Sequence, residues 1–322
     1  MTTTERLKFV VPGDYPPQIQ GSPHLDRLER YGDVALHLYR PSSMDEQLER
    51  AKGAHAIVNT RGAVKWPAEA LRALPELRMI ATCSIGVDMI DIAVANELGI
   101  VVSNQPGRTA PVVAEHIIGL MFAAAKRAAY QTAELKAGRW ATMANVTIQG
   151  KTMGIIGTGN VGREVARIAN ALGMRCLAWT YNPSPERAEE LGVEFVELDE
   201  LLEESDVVSL NVRLSDDSRN MIGARELGLM KKGALLINGG RGELVETSAL
   251  VDALNSGHLA GAGLDVFDQE PLPPDHPILS CEQVVLTPHI ADQTPEGIEL
   301  LNEGAVTNVI AFLEGQPNNV VT

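Results

Sequence analysis

A glycine motif set between a strand and a helix constrains this chain more than any other feature. The apolar strand Met153 to Ile156 runs into Gly157-Thr158-Gly159-Asn160-Val161-Gly162, and a helical pattern follows over residues 163–172. Another apolar strand comes next, at residues 175–179. A G-x-G-x-x-G motif in this strand-helix-strand context is typical of a parallel βαβ unit that binds a dinucleotide.

The positions of the motif have separate tasks in such a unit. Gly157 permits the tight turn, Gly159 lets the backbone approach a pyrophosphate, and Gly162 lets the helix pack close to its strand. Asn160 and Val161 open the helix, where free N–H groups and the positive end of the dipole favour phosphate. The alternative is a glycine-rich turn without a ligand.

The other end of a bound dinucleotide is less clearly specified. The motif usually has an Asp or Glu about 20 residues further on, which holds the ribose 2′-hydroxyl of NAD. Here the strand ends in Thr180, Tyr181 and Asn182, and the first acid is Glu186. Because that carboxylate is absent, nothing at this position repels a 2′-phosphate, which favours NADP(H). No Arg directly follows the strand to bind such a phosphate, so NAD(H) stays open as the alternative. Other polar groups that could hold the phosphate are Ser184, Arg187 and Arg213.

Length and periodicity indicate two α/β domains. The chain has 322 residues, and domains average roughly 150. Short apolar runs alternate with helical stretches over the first hundred positions, and a second series of near-continuous apolar runs extends from Met153 to Leu286. This pattern predicts two Rossmann-like, doubly wound parallel sheets. The helical stretch Pro295–Leu313 follows the second series and is expected to cross back to the first domain.

The segment Val112 to Ala125 stands between the two series. It is apolar on nearly every side apart from Glu115 and His116, and Pro111 suits a first helical turn. We therefore expect a helix buried all round, packed between domains or against a second subunit. We interpret His116 as a core residue whose ring nitrogens have hydrogen-bond partners within the protein.

Composition excludes several classes of function. The formal charge of −15 repels phosphate backbones and anionic membrane surfaces, so neither nucleic acid nor membrane is expected as a partner. The three cysteines form no C-x-x-C pair, which argues against a disulfide framework or a zinc site and fits a reducing cytoplasm. The longest apolar run is far short of the ~20 residues that span a bilayer.

Three polar segments each follow a predicted strand of the second series. They contain Arg241, then Asp265 and Glu270, then His289. Ligands bind at the carboxyl edge of doubly wound sheets, so these side chains are expected to converge there. A guanidinium can hold a carboxylate with two bonds, and an imidazole beside a carboxylate can exchange a proton with a carbonyl oxygen. The combination suits hydride transfer to a carbonyl.

These segments together resemble the D-isomer-specific 2-hydroxyacid dehydrogenases, a family that includes phosphoglycerate dehydrogenase, glyoxylate/hydroxypyruvate reductases and D-lactate dehydrogenase. The resemblance runs from about Ala54 to about Leu313. The residues that carry it are Gly86-Val87-Asp88-Met89-Ile90-Asp91, Val113-Ala114-Glu115-His116, the glycine motif, Asn238 to Gly242, Leu264 to Pro271, and Thr287-Pro288-His289-Ile290.

The resemblance implies roles for individual residues. Arg241 would bind the substrate carboxylate and polarise the carbonyl, His289 would be the general acid in reduction, and Glu270 would raise the pKa of His289. Asp265 would hold the nicotinamide carboxamide, and Gly239 would lie in the cofactor site. The backbone of Ser84, Ile85 and Gly86 would grip the substrate carboxylate.

The resemblance also implies an organisation. A flavodoxin-like substrate-binding (catalytic) domain would comprise residues 1–104 plus 291–322, and a Rossmann domain residues 105–290, with the active-site cleft between them. The protein would be a cytoplasmic homodimer that acts on a small 2-oxo or 2-hydroxy acid.

The chain departs from the family pattern in a few places. Thr180 replaces the expected acid, Arg213 stands where a proline is frequent beside the adenine, and Thr109 replaces a frequent Asn. Gly239-Gly240 replaces a bulkier pair, which predicts a roomier turn before Arg241. Arg61 could supply a charge for a second anionic group of the substrate.

Two other functions stay open at this point. A dinucleotide-sensing interaction protein, like the related corepressors, would keep the same fold and the same three polar side chains. An enzyme for formate or phosphite would also share the fold. The sequence favours a 2-hydroxyacid enzyme because Glu270 and the continuation from His289 to Asp292 match that group better.

Overall fold

The computed structural model describes residues 6–62 and 64–321, so positions 1–5, 63 and 322 lie outside the described residues. The strands in this part of the chain are short apolar segments bounded by turns. They are β1 (Leu7–Val11), β2 (Gly32–Leu36), β3 (Ala56–Thr60), β4 (Met79–Cys83), β5 (Val101–Ser103), β6 (Thr152–Ile156), β7 (Arg175–Trp179), β8 (Glu194–Phe195), β9 (Val207–Leu210), β10 (Leu235–Asn238), β11 (Gly261–Leu264) and β12 (Val284–Leu286).

Helices connect these strands, and several begin at a side chain that caps them. Asp91, Ser184 and Thr294 each accept a hydrogen bond from a backbone N–H in the first turn. The helices are α1 (Leu25–Glu29), α2 (Met44–Ala51), α3 (Ala68–Arg72), α4 (Ile92–Glu97), α5 (Ala110–Ala125), α6 (Ala128–Lys136), α7 (Asn160–Ala171), α8 (Pro185–Leu191), α9 (Leu198–Glu204), α10 (Ala224–Leu229), α11 (Thr247–Asn255) and α12 (Pro295–Leu313).

One compact unit comprises the described residues up to Thr109 and from Gln293 onward. Its five strands form a parallel sheet in the order β2-β1-β3-β4-β5. Strands β3 and β4 are buried along their whole length, since helices cover both faces of this sheet. Helix α12 packs against β4, β3 and α1, so the end of the chain does return to the first sheet as expected.

The second unit comprises Ala110–Asp292 and holds a seven-stranded parallel sheet. Its strand order is β12-β11-β10-β9-β6-β7-β8. The chain starts in the middle with β6, moves outward through β7 and β8, and then returns to β9 on the other side. The order therefore reverses between β6 and β9, which is where such sheets open a crevice for a ligand. Both sheets confirm the predicted pair of doubly wound α/β units.

Within the single chain, helix α5 is buried along one side only. Its buried face packs against β10, β11 and α7 of its own unit. Pro111, Glu115 and Gly119 are exposed along the opposite side. The sequence did not reveal this side because most of its residues are small or apolar, so the usual polar stripe of a surface helix is missing.

In the part of the chain that the structure describes, no helix combines the length and apolar character needed to cross a membrane.

Candidate active site

The glycine motif forms the turn from β6 into α7, and its three glycines differ in what surrounds them. A Cβ at Gly157, whose φ is +95°, would lie 2.7 Å from Val212 Cγ1. A Cβ at Gly162 would lie 1.9 Å from the carbonyl oxygen of Gly157, so the close approach of helix and turn requires glycine there. A Cβ at Gly159 would meet nothing within 4 Å. Packing therefore explains two of the glycines but not Gly159.

An exposed backbone at Gly159 is what a bound pyrophosphate requires. Gly159 precedes the first residue of α7 and offers no side-chain cap to it. Asn160, which is exposed, and Val161, which is half-buried, provide the first N–H groups of the helix. These groups and the open surface above Gly159 fit the diphosphate of a dinucleotide.

The loop after β7 is much more exposed. Thr180 is half-buried, Asn182 is exposed, and the Tyr181 side chain, 60% exposed, packs edge-on against Trp179 with the rings 4.9 Å apart. Arg187 joins this loop to the glycine motif: its guanidinium donates to the Asn182 carbonyl and to Thr158 Oγ1, the latter at 2.8 Å. The residue at position 180 is a threonine and not an acid, so it carries no charge that would repel a phosphate.

Arg213 lies on the neighbouring loop, after β9. It is exposed, and its carbonyl accepts a hydrogen bond from Ser218 Oγ at 2.8 Å. The preceding residue, Val212, packs against the turn at Gly157. Arg213 therefore belongs to the same edge of the sheet as the glycine motif.

Arg241 follows β10 on a turn that Asn238 organises. The Asn238 amide donates to the Arg241 carbonyl at 2.8 Å and accepts from the Gly240 N–H at 3.0 Å. The Arg241 guanidinium donates to the Gly240 carbonyl at 2.8 Å, so part of its hydrogen-bonding capacity holds its own turn. This turn lies directly beside the loop after β11, because a Cβ at Gly242 would lie 1.9 Å from the carbonyl carbon of Phe267.

The expectation of a roomier turn before Arg241 is wrong. A Cβ at Gly239 would lie 2.7 Å from Ile117 Cγ1, and one at Gly240 would lie 3.2 Å from Leu244 Cδ1. At Gly239 the space that a larger residue would use is filled by Ile117 of α5, and at Gly240 it is limited by Leu244 and by the carbonyl oxygens of Leu210 and Val212.

Glu270 and His289 meet at the carboxyl edge of β11 and β12. His289 Nδ1 lies 2.7 Å from Glu270 Oε2, while Glu270 Oε1 accepts the Phe267 N–H at 3.0 Å. The hydrogen bond to Glu270 raises the pKa of His289, against the opposing effects of burial and of the Arg241 charge. Burial acts most strongly and would raise the pKa of Glu270, but the hydrogen bond and charge of His289, the Phe267 N–H and the Arg241 charge together outweigh it, so that pKa is lowered.

These shifts show that Arg241, Glu270 and His289 are electrostatic neighbours. The pKa of Glu270 is lowered and the pKa of His289 is raised, so both shifts favour the ionised carboxylate beside the charged imidazole. The His289 ring is therefore favoured in its protonated form near neutral pH. With Nδ1 turned to Glu270, Nε2 of the His289 ring is the nitrogen available for proton exchange with a ligand. The His289 side chain is 48% exposed, so a small molecule can reach it.

The backbone at His289 is strained. Its φ is +53°, in the left-handed region that residues with a Cβ seldom adopt. The His289 N–H donates to the Asp265 carbonyl at 2.8 Å. Such a conformation persists only where its surroundings enforce it, and it often marks a functional site.

Asp265 provides most of that enforcement. Its fully buried carboxylate accepts from Thr287 Oγ1 at 2.5 Å and from the Ile290 and Ala291 N–H groups at 2.9 Å each. Burial acts to raise the pKa of Asp265, but hydrogen bonds from His116, Thr287, Ile290 and Ala291 lower it overall. Asp265 therefore binds the loop of His289 as an ionised carboxylate.

The predicted substrate-binding segment of the first unit follows β4. Ser84 Oγ donates to the Gly86 carbonyl at 2.9 Å, and the Asn104 amide donates to the Ile85 carbonyl at 2.7 Å. The Ser84 carbonyl accepts from the Gln105 N–H at 3.0 Å. Ile85 is exposed. Arg61 follows β3 in the same unit, with φ at +50°.

Two polar groups near the site were not identified from sequence. His116 was interpreted as a core residue, yet its ring contacts Thr287 and Asp265. His276 Nε2 lies 3.0 Å from Asp268 Oδ1, and Thr247 Oγ1 donates to Asp268 Oδ2 at 2.7 Å. His116 and Asp268 both lie in motifs that carry the family resemblance, but those motifs do not show their partners, because each contact joins segments that meet only in the folded chain.

Comparison with known proteins decides the family. The family model described as "D-isomer specific 2-hydroxyacid dehydrogenase, NAD binding domain" matches residues 118–291, more than half of the chain. The chain belongs to this family. This dehydrogenase assignment accounts for the order of the motifs along residues 157–290, and it makes the protein an oxidoreductase with a nicotinamide dinucleotide cofactor.

Individual relatives agree with this dehydrogenase fold. A glyoxylate reductase from Aeropyrum pernix is 39% identical over 308 residues, which cover 92% of each chain. A hydroxypyruvate reductase from Thermotoga maritima is 42% identical over 77% of this chain and 83% of its own. A glyoxylate/hydroxypyruvate reductase from Sinorhizobium meliloti, described as NADPH-dependent and solved with NADP and malonate, superposes with a TM-score of 0.85. That protein is 28% identical over 99% of this chain and 97% of its own.

Proposed function

We propose that the protein reduces a small 2-oxo acid of the glyoxylate or hydroxypyruvate class to the 2-hydroxy acid, with NADPH favoured over NADH. The single observation that carries this proposal is the 2.7 Å pairing of His289 with Glu270 beside Arg241. The names of the reductases from Aeropyrum, Thermotoga and Sinorhizobium support the substrate class.

Each of the three side chains has a defined part in this reaction. A bound nicotinamide supplies or accepts the hydride. The Arg241 guanidinium binds the substrate carboxylate and polarises the carbonyl. His289, held in its protonated form by Glu270, donates the Nε2 proton to the carbonyl oxygen as it becomes a hydroxyl. In the reverse direction neutral His289 removes that proton. In the first unit we assign the backbone of Ser84, Ile85 and Gly86 to the substrate carboxylate.

The preference for NADPH rests on the loop after β7. Thr180, Tyr181 and Asn182 offer neutral polar groups where NAD-specific relatives would need an acid, and Arg213 adds a positive charge at the same edge of the sheet. Gly157, Gly159, Asn160, Val161 and Gly162 hold the diphosphate. Gly239 and Asp265 lie on the turns that follow β10 and β11, at the nicotinamide end. The Sinorhizobium structure, solved with NADP, supports the same choice.

The direct test is a panel of 2-oxo acids assayed with NADPH and with NADH by absorbance at 340 nm. We expect turnover of glyoxylate or hydroxypyruvate, with the higher kcat/KM for NADPH. The His289→Ala variant should lose about 10²- to 10⁴-fold in kcat, the range for removal of a general acid, while its affinity for the cofactor stays near that of the parent. A purified, folded protein that oxidises neither cofactor with any acid of the panel would refute the proposal.

We further propose that the enzyme is a cytoplasmic homodimer formed through the exposed side of α5 and through α6. Pro111 and Gly119 lie on that side of α5 beside Glu115, and the large apolar side chains of Leu135 in α6 and Trp140 after it are 54% and 86% exposed. Apolar patches of this kind mark interfaces. Sedimentation should show a dimer for the parent and a monomer for Gly119→Arg; a monomeric parent would overturn this assignment.

A further inference from the structure

A second histidine lies behind the loop that carries His289. His116 stands on α5, where its side chain is 23% exposed. Its Nε2 atom lies 2.9 Å from Thr287 Oγ1 and 3.4 Å from Asp265 Oδ1. The partners follow β12 and β11, so this ring connects α5 to both loops of the site.

The direction of these hydrogen bonds follows from counting protons. Thr287 has one hydroxyl proton, and at 2.5 Å from Asp265 Oδ1 it is donated to that carboxylate. Asp265 is ionised and can only accept. The contact between His116 and Thr287 therefore requires His116 Nε2–H to be the donor. The result is an ordered series of donors that runs from His116 through Thr287 to Asp265.

Asp265, the last member of this series of hydrogen bonds, also binds the backbone around His289. Asp265 Oδ1 accepts the Ile290 N–H and Oδ2 accepts the Ala291 N–H, while the Asp265 carbonyl accepts the His289 N–H at 2.8 Å. These bonds hold the left-handed backbone of His289, a conformation that is otherwise unfavourable for a residue with a Cβ. A change in the position of Asp265 or Thr287 would therefore alter the backbone that places the imidazole against Glu270.

We propose that His116 is a positioning residue that donates through Thr287 to Asp265 and thereby holds His289 against Glu270. This inference rests on the proposed reductase function for its kinetic consequences. Its structural content, the order of the loop at residues 287–291, does not depend on which substrate is used.

A purely space-filling His116 would give different results from a donor. The charged groups that act on His289 include Glu270, Arg241 and Asp265, and the pKa of His289 depends on its distance from each of them. If His116 only fills space, its replacement leaves these distances and the pH profile unchanged. If it donates, its removal loosens the contact between His289 and Glu270, and the pKa of His289 falls.

The experiment compares His116→Leu, which removes the donor, with His116→Gln, which keeps an N–H donor. His258→Leu is the matched control, because His258 also makes a ring hydrogen bond, to the Leu227 carbonyl at 3.0 Å, but lies before β11 at the opposite end of that strand. Two measurements are made on the purified proteins. One is the pH dependence of kcat/KM for reduction, and the other is hydrogen exchange of the amides in residues 288–291.

We expect His116→Leu to lower kcat by about fivefold to tenfold, the scale of one lost hydrogen bond, and to move the alkaline limb of the profile to lower pH. Exchange at Ile290 and Ala291 should be faster. His116→Gln should restore both properties most of the way, and His258→Leu should match the parent. If His116→Leu does not fold, Thr287→Val, which removes the hydroxyl in the middle of the series, takes its place with the same expectations.

A parent-like pH profile and exchange rate in the donor-less variant would overturn the inference, and so would equal defects in His116→Leu and His116→Gln. Failure of the proposed function looks different, since the parent itself would then be inactive with every 2-oxo acid. In that case the exchange measurement alone decides whether His116 orders the loop.

Discussion

The second unit contains two stretches of the same sheet edge that are built in opposite ways. The loops after β10, β11 and β12 hold Arg241, Glu270 and His289 by bonds to backbone and buried carboxylate, and the carboxylate of Asp265 accepts three of these bonds. The loop after β7 leaves Asn182 and Tyr181 exposed, and one guanidinium, that of Arg187, ties it to the glycine motif. The stretch that carries Arg241, Glu270 and His289 is fixed by many hydrogen bonds, whereas the loop after β7 is exposed and held by few.

The difference shows how one fold separates two tasks. Proton transfer requires an imidazole placed to within a fraction of an ångström, and buried polar groups hold the loop of His289 in place for this purpose. Discrimination between NADPH and NADH depends on charge near one ribose and tolerates an exposed, adaptable loop. Substitutions in the first stretch should therefore cost more activity than substitutions in the second.

The larger effect is expected from Glu270→Gln. The bond to Glu270 raises the pKa of His289, so the protonated acid persists to higher pH, and the rate of reduction falls only as the pH rises through that raised pKa. Loss of a half-exposed charge-assisted hydrogen bond lowers this pKa by about one unit. We expect the alkaline limb of kcat/KM to move down by that amount, which is about a tenfold loss above the limb.

Asp268→Asn is the matched control for this prediction. Asp268 lies two residues earlier on the same loop and pairs with His276 at 3.0 Å, so the substitution also breaks a histidine-carboxylate pair. Its alkaline limb should coincide with that of the parent. An equal displacement in both variants would mean that the loop as a whole, and not the partner of His289, sets the pH dependence.

The two stretches also differ in how much of them could be predicted. The strand ends that carry Arg241, Glu270 and His289 follow from apolar periodicity, and β7 has the predicted bounds, residues 175–179. Parallel strands bring their carboxyl ends to one edge, so adjacency of β10, β11 and β12 in the sheet was sufficient to bring these residues together.

Contacts between distant segments could not be predicted in this way. His116 and Thr287 are 171 positions apart, and although each lies in a motif that carries the family resemblance, neither motif shows that α5 packs behind the loop of His289. The same helix explains the tight turn at Gly239, where Ile117 occupies the space. Both facts depend on which face of α5 is turned inward, and an apolar helix with few polar residues does not reveal that face.

The smaller effect is expected from Thr180→Asp, which places a carboxylate at the open stretch where the sequence lacks one. Repulsion of a 2′-phosphate at this exposed position is limited to about 1 kcal/mol, so kcat/KM for NADPH should fall by about fivefold. The value for NADH should stay within about twofold, because the new carboxylate can accept a bond from the 2′-hydroxyl. Thr180→Asn, of similar shape without the charge, should change neither value. Equal losses for both cofactors would show that Thr180 shapes the loop after β7 and does not select between them.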